Sequence, residues 1–396
     1  MKKLRFFDLF CGCGGLSTGL VGAGLKLVGG VDKNKNAITS FKYNHKNVNA
    51  YSKGIDEFIL NESEIATNIR KIDVLVGGPP CQGFSAINPK RSIDDPRNSC
   101  VELFLRVVQL LNPKLILLEN VTGLIGLAKG KALKIICKHL NSNGYDVGFK
   151  VLQAAHYGVP QSRWRLFVVG SKLGHFQFPE PTHRASIRAN FPSGNKHTFS
   201  IPEHDDLFVK LQPHTTVSDA ITDLPELENG GGEEVAKFRL KPQNEFQRQL
   251  RNGANSLFNH TVANLGSLQM ERVIALPKQG MNWLDLPEHL MPNNLKKLRI
   301  KYGSGLGCKS RFGRLSLSGL FTTILTQPHL YWGTFIHPKQ NRVISVRECL
   351  RAQTFPDTFR VFGPKSSQYE QVGNAIPVFL GKALGKAIIS HFKGAK

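Results

Sequence analysis

The sequence is short of acid. It has 29 Asp+Glu against 52 Lys+Arg, a formal net charge of +23 over 396 residues, and from His289 to Arg347 it carries ten Lys/Arg and no acid. An excess of that sign and size excludes a preference for basic partners and points to a polyanion, nucleic acid before a membrane surface. The plainer reading is a basic enzyme kept soluble by its charge. Long apolar runs are missing as well. No stretch reaches the roughly 18 apolar residues of a transmembrane helix, so no membrane span is expected. The first residues include lysines but meet Asp8 and a glycine cluster before any long apolar segment, so no secretory signal is read. Cysteines are few and odd in number, seven, with no CxxC pair. That argues against a disulfide or zinc framework and for a reducing compartment without a structural metal. Internal repeats and low-complexity tracts are also absent. The 41% hydrophobic content that is present suffices for a sizeable core and excludes a disordered chain.

The first half alternates short apolar runs with amphipathic stretches. Strand candidates are Leu4 to Phe10, Leu25 to Val31, Val74 to Val76, Leu115 to Leu118, Val147 to Leu152 and Leu166 to Val169. Helix candidates between them are Leu16 to Ala23, Asn36 to Tyr43, Val101 to Leu111 and Lys131 to Leu140. This alternation predicts an α/β fold with a doubly wound, mostly parallel sheet. From Phe178 to about Gln340 periodicity fades and prolines, glycines and histidines scatter, as in an irregular module with long loops. Order returns with a strand-then-helix pattern over Val343 to Ala352 and a closing amphipathic helix from Pro377 to Phe392. The chain thus divides into 1–181, an irregular insert 182–342, and a return segment 343–396.

Two loops carry chemistry. Phe10-Cys11-Gly12-Cys13-Gly14-Gly15 joins the first strand to the first helix, and its glycines let the backbone approach a ligand without Cβ clashes. Asp32 ends the second strand 20 residues after Gly12, the spacing of a carboxylate that accepts ribose hydroxyls. These residues point to a nucleoside-containing cofactor, and a nicotinamide dehydrogenase would look similar. The second loop, Gly77-Gly78-Pro79-Pro80-Cys81-Gln82, puts a thiol just beyond the carboxyl end of a strand, the usual side for active sites in open α/β sheets. Cys81 there is a candidate nucleophile if cationic neighbours depress its pKa; a buried structural cysteine is the competing reading. Cys100, Cys137 and Cys349 sit in apolar patterns and take the structural reading.

Both loops resemble blocks of the DNA cytosine-5 methyltransferase family. The remaining blocks follow in that family's order: Glu119-Asn120-Val121, Gln161-Ser162-Arg163-Trp164-Arg165, Arg347-Glu348-Cys349 and Gln371-Val372-Gly373-Asn374-Ala375-Ile376-Pro377. Six ordered blocks span almost the whole chain, and the irregular insert falls where the family places its target-recognition region. The resemblance implies a Rossmann-like methyltransferase domain and transfer of a methyl group from S-adenosylmethionine to cytosine C5 in double-stranded DNA, with S-adenosylhomocysteine as product. Within it Cys81 attacks C6, Glu119 contacts the base's N3 and exocyclic amine, and Arg163 and Arg165 lie at the pocket, the second near O2. Alternation along a strand would put both arginines on one face. The target base must leave the stack, at a cost of a few kcal/mol.

For the cofactor the resemblance carries over Phe10, Gly12, Gly14, Asp32, Pro80 and Asn374, with Asp56 as partner of the adenine amine. Asp32 replaces the more usual Glu, and Lys33 stands where an apolar residue commonly faces adenine. Gln82, Ser85 and Arg97 belong to a polar, turn-rich segment resembling the family's closing loop. Lys309 and Arg311, in a basic and glycine-rich stretch, are expected on phosphates, and Thr323 is expected to face DNA. The charge excess is not confined to the insert, since 184–342 has 20 Lys/Arg and 13 Asp/Glu; it spreads over both parts, as for a cleft that grips phosphates from two sides.

The resulting expectation is a stand-alone, monomeric modification-type enzyme, accompanied or not by a restriction endonuclease. It would be cytoplasmic and nucleoid-associated in a bacterium, nuclear in a eukaryote. A tRNA cytosine-5 methyltransferase of the same fold and a catalytically idle DNA-binding relative are the alternatives.

Overall fold

A computed structural model describes residues 3–60, 69, 71–80, 99–126, 130–185, 211–293, 295–297, 312–327 and 335–395. They form two compact units: Met1–Tyr157, Trp164–Pro181 and Val378–Lys396 make the first, Gly158–Arg163 and Thr182–Pro377 the second.

The first unit runs β1 (Arg5–Leu9), α1 (Gly15–Ala23), β2 (Lys26–Asp32), α2 (Lys35–Asn44), β3 (Asn49–Ser52), α3 (Ile55–Leu60), β4 (Val74–Gly77), α4 (Ser99–Leu111), β5 (Leu115–Asn120), α5 (Lys131–Ser142), β6 (Asp146–Gln153) and β7 (Trp164–Ser171). The sheet order is β3-β2-β1-β4-β5-β7-β6. β4 and the first four residues of β5 are continuous apolar runs, and in β1 Phe6, Phe7 and Leu9 are interrupted by Asp8 alone, because helices cover both faces of a parallel sheet. Strands β3 to β5 pair in parallel, whereas β7 runs antiparallel to both β5 and β6. β6 and β7 are joined without a crossover helix, which suits an antiparallel pair. The pattern of alternating elements did not reveal this reversal. It also missed β3 and α3, since Asn49-Ala50-Tyr51-Ser52 is a short, half-exposed edge strand with little apolar signal.

The C-terminal helix Val378–Gly394 returns to pack on α1. Gly19 and Gly381 sit at the contact, where a Cβ on Gly19 would come within 2.7 Å of Gly381 Cα. By length and apolarity the helical stretch Lys365–Gly394 would pass for a membrane span, but 61% of its apolar window is buried inside the protein.

The second unit contains α6 (Val217–Ile221), β8 (Gly232–Ala236), α7 (Glu245–Arg251), β9 (Leu257–Thr261), α8 (Ser267–Ile274), β10 (Gly313–Arg314), β11 (Phe335–Ile336), α9 (Val346–Ala352) and α10 (Lys365–Asn374). Its apolar core gathers around Trp283 with Val273, Leu276, Phe312 and Ile336. The sequence pattern assigns 343–377 to the return segment, but the compact units place it here. Buried ionic contacts accompany this placement. Arg351 bridges Asp223 and Asp357, with Nη2 2.6 Å from Asp357, and Arg342 grips Glu348 with two bonds of 2.8 and 2.7 Å.

Candidate active site

The carboxyl ends of β1, β2, β4 and β5 share one edge of the sheet, and the motif residues of the first unit collect there. After β1 the chain turns through three left-handed residues, Phe10 (φ 59°), Gly12 (φ 55°) and Gly14 (φ 98°). For an aromatic residue that conformation is strained. The turn is held from several sides. Cys11 N–H donates to Val31 O at 3.1 Å, and Gly12 N–H donates to Asp32 Oδ2 at 2.9 Å. Asn34 N–H binds the other Asp32 oxygen at 2.8 Å, so each carboxylate oxygen keeps one lone-pair direction for a further donor. Burial lifts the Asp32 carboxyl above its ordinary range, opposed by these N–H groups and by Lys33.

Around Gly14 there is no room. A Cβ would fall 2.7 Å from His45 Nε2, and Thr18 Oγ1, itself 3.3 Å from that nitrogen, donates to Gly14 O at 2.7 Å. Burial pulls the His45 pKa down to about 4, so the wedge is a neutral imidazole. At Gly12 the space is open, with nothing within 4 Å of a Cβ. Beneath the turn lies Asp8, 2% exposed, accepting from Ser17 Oγ at 2.6 Å. Burial raises its carboxyl to about 7, Ser17 opposing and Asp32 adding to the rise. Sequence reasoning missed Asp8, Ser17 and His45; the one visible signal was an acid inside an apolar strand.

Glu119 sits near the end of β5, opposite Phe167 of β7. Because β7 is antiparallel, its start lies at the carboxyl edge of β5, and Arg165, two residues before Phe167, reaches the same face. Arg165 Nε lies 3.0 Å from Glu119 Oε1, each side chain 14% exposed. Burial lowers the Arg165 pKa, and the neighbouring Glu119 carboxyl opposes that shift. Asn120 is 2% exposed; its Nδ2 donates to Pro79 O at 3.2 Å, and its Oδ1 accepts from Val121 N–H at 2.8 Å. It ties the strand that carries Glu119 to the Pro79-Pro80 pair, with Pro80 half-buried.

The arginines of the Gln161–Arg165 motif therefore part company. β7 begins at Trp164, so Arg163 precedes the strand and does not share its alternation, contrary to the sequence expectation. Arg163 belongs to the second unit, is 1% exposed, and donates to the carbonyls of Ile324, Gly373 and Ala375. Thr323 is half-buried and its hydroxyl donates to Ser162 O at 3.0 Å. Asn374 is exposed at the end of α10, and Asp56 is exposed in the first turn of α3.

Cys81, Gln82, Ser85, Arg97, Lys309 and Arg311 lie outside the described residues. Of the acid-free basic stretch, Arg314, Arg342 and Arg347 are buried structural cations rather than surface ones. Arg314 alone donates to the carbonyls of Val273, Leu276, His337 and Gln340. Cys349 is buried as expected, but Cys100 and Cys137 are half-buried, because each lies at the margin of an amphipathic helix. No group of three or more His, Cys, Asp or Glu suited to a metal occurs among the described residues.

A seven-stranded sheet with one reversed strand, a glycine turn, and an acid ending β2 define a Rossmann-like methyltransferase domain. A profile of the C-5 cytosine-specific DNA methylases matches residues 4–390, and the chain belongs to that family. It is 30% identical over 402 residues to the Type II methyltransferase M.DdeI of Desulfomicrobium norvegicum, covering 98% of this chain and 89% of that protein. It is 31% identical to DNA (cytosine-5)-methyltransferase 1A of Oryza sativa subsp. japonica, but there 97% of this chain spans only 28% of the relative's length. Among solved structures, a protein described as a DNA modification methyltransferase encoded within an E. coli prophage superposes with a TM-score of 0.70 at 25% identity, covering 99% of this chain and all of that one.

Proposed function

We propose that this protein methylates C5 of a cytosine flipped out of a specific double-stranded DNA sequence, through a covalent bond between Cys81 and C6. The observation that carries the reading is the half-buried Glu119–Arg165 pair, set at the sheet edge where Pro79-Pro80 leads to Cys81.

Family membership implies S-adenosylmethionine, and the residues of the first unit fit it. Gly12 offers an open backbone surface. Asp32 offers a fixed carboxylate with free lone pairs to a ribose diol, in a site where negative charge suits a sulfonium cation. When bound, that group supplies the electrophilic methyl carbon. Asn374 and Asp56 are further proposed contacts.

Cytosine C5 is a weak nucleophile. Addition of the Cys81 thiolate to C6 gives C5 enamine character, which the reaction needs. Glu119 would orient the base through N3 and the exocyclic amine, and Arg165, held by Glu119, would meet O2. Both polar groups are fixed before the base arrives, so little reorganisation is needed as charge builds on the ring. Loss of the C5 proton to water or hydroxide then expels Cys81 by β-elimination and restores the ring.

The similarity to M.DdeI supports a modification-type enzyme, paired or not with an endonuclease. Bisulfite sequencing of DNA from cells expressing the protein tests the reading. Protected cytosines in one sequence context are expected, and uniform conversion in cells that contain the folded protein would contradict it.

A further inference from the structure

Arg163 occupies the motif position that the resemblance assigns to the catalytic pocket, yet its guanidinium is committed to backbone. Nη2 donates to Gly373 O at 3.0 Å and to Ala375 O at 2.9 Å, the carbonyls on either side of Asn374. Nη1 donates to Ile324 O at 3.2 Å, next to Thr323. We propose that Arg163 is a positioning residue rather than a catalytic one: it fixes the backbone on either side of the exposed Asn374 and couples that placement to the Thr323–Ile324 segment. The proposal rests on the S-adenosylmethionine reading of Asn374 above.

The carbonyls at a helix end lack intrahelical partners, and a cation at that end is doubly suited to them. Arg163 fills this place for α10. Gln353 supports it, donating to Val372 O at 2.8 Å and Ala375 O at 3.2 Å. Gln161, two residues before Arg163, accepts from Ile324 N–H at 3.0 Å and donates to Gln353 Oε1 at 3.0 Å. The N–H and the C=O of Ile324 are therefore taken by Gln161 and Arg163 respectively. The two backbones also touch: a Cβ on Gly373 would fall 2.7 Å from Thr326 N. Gly373 and Ala375 are buried while Asn374 between them is exposed. One planar fork thus fixes the backbone that aims Asn374 and the backbone that carries Thr323. A lysine, a single point donor, cannot reproduce three divergent bonds.

The test uses the full-length protein with S-adenosylhomocysteine as calorimetric probe and tritiated S-adenosylmethionine for turnover. R163M, R163K and N374A are each expected to weaken S-adenosylhomocysteine about tenfold, the scale of a lost charged hydrogen bond. The R163M/N374A double variant should lose little more, because Arg163 acts through Asn374. Turnover at saturating cofactor and DNA should fall far less than the two KM values rise. Multiplying penalties in the double variant, or a kcat collapse with unchanged KM values, would overturn the proposal. If R163M does not fold, R163K settles the matter by hydrogen exchange. Joint loss of amide protection over 321–326 and 372–376 supports the coupling, and loss in one segment alone refutes it. Failure of the wild-type protein to bind S-adenosylhomocysteine would instead refute the cofactor reading, with the exchange result still deciding the coupling.

Discussion

Arg165 and Glu119 form a half-sheltered ion pair, Nε to Oε1 3.0 Å, that exists because β7 runs against β5. In a parallel β7 the arginine would stand at the far end of the sheet. The direction of one strand thus sets two groups of the proposed base pocket beside each other.

Removing either partner should strike turnover more than binding. Glu119→Gln keeps the shape but removes the negative charge opposite Arg165, and Arg165→Lys loses the fork. Each is expected to lower kcat by about 10²-fold or more, with smaller changes in the KM for DNA. Single-turnover methyl transfer measures this. A rise in KM with kcat intact would mean that the pair serves only ground-state binding.

The two glycines of the turn should respond differently. Gly12→Ala adds a methyl to open space and incurs only the left-handed backbone cost, about 1 kcal/mol. Gly14→Ala carries that cost plus a clash with His45 Nε2 and Phe41. Thermal denaturation should therefore rank Gly14→Ala as clearly the less stable. Cofactor titration should show Gly12→Ala impaired despite its near-normal Tm, because the methyl fills the surface offered to the cofactor. Equal Tm losses would contradict the assigned geometry.

Asp8 makes stability depend on pH in a defined direction. Its folded pKa, about 7, lies above the ordinary value of 3.8, so the folded state holds its proton longer than the unfolded chain does. Its contribution is fully present below about pH 4 and is lost as pH rises toward 7. Asp8→Asn should flatten that decline and leave the protein more stable at pH 8 by an amount on the order of a few kcal/mol. His45 acts oppositely: its folded pKa, about 4, lies below the usual 6.5, so its contribution holds above 6.5 and fades as pH falls toward 4. Urea midpoints of wild type and Asp8→Asn across pH 4 to 8 measure the difference; parallel curves would show that Asp8 is not the group concerned.

Arg351→Met in the second unit should leave Asp223 and Asp357 buried without their shared cation. Breaking a buried pair on one side costs about 3–5 kcal/mol. The same loss should not follow from removing the exposed Arg248–Glu245 pair, for which about 0.3–0.5 kcal/mol is expected. Denaturant unfolding of the two variants distinguishes them.

Much of this could be read from the chain, for identifiable reasons. β4 and the start of β5 are legible as apolar runs, β1 as three apolar residues around a single acid, and the glycine turn and Asp32 are legible by spacing. Glu119 and Arg165 emerged from the order of short motifs. What stayed hidden depends on contacts between residues distant in the chain. The reversal of β7 leaves no mark in its own composition. Arg163 and Arg165 look alike in Arg-Trp-Arg, yet a strand starting at Trp164 sends one to Glu119 and the other to the carbonyls of Ile324, Gly373 and Ala375. The buried arginines 314, 342 and 347 read as surface charge or motif letters, because their desolvated partners are invisible to composition. Asn120 stood beside Glu119 throughout, and only the Pro79 contact shows its purpose.

Covalent catalysis requires a bond between Cys81 and the target cytosine. Duplex DNA in which every cytosine is replaced by 5-fluorocytosine, incubated with the protein and S-adenosylmethionine, tests it most directly. The fluorine cannot leave as a proton does, so β-elimination is blocked. A protein–DNA species that survives denaturing electrophoresis is predicted, dependent on cofactor and absent in Cys81→Ala. A wild-type preparation that methylates ordinary DNA yet leaves no such species, or a Cys81→Ala variant that still forms it, would contradict the account.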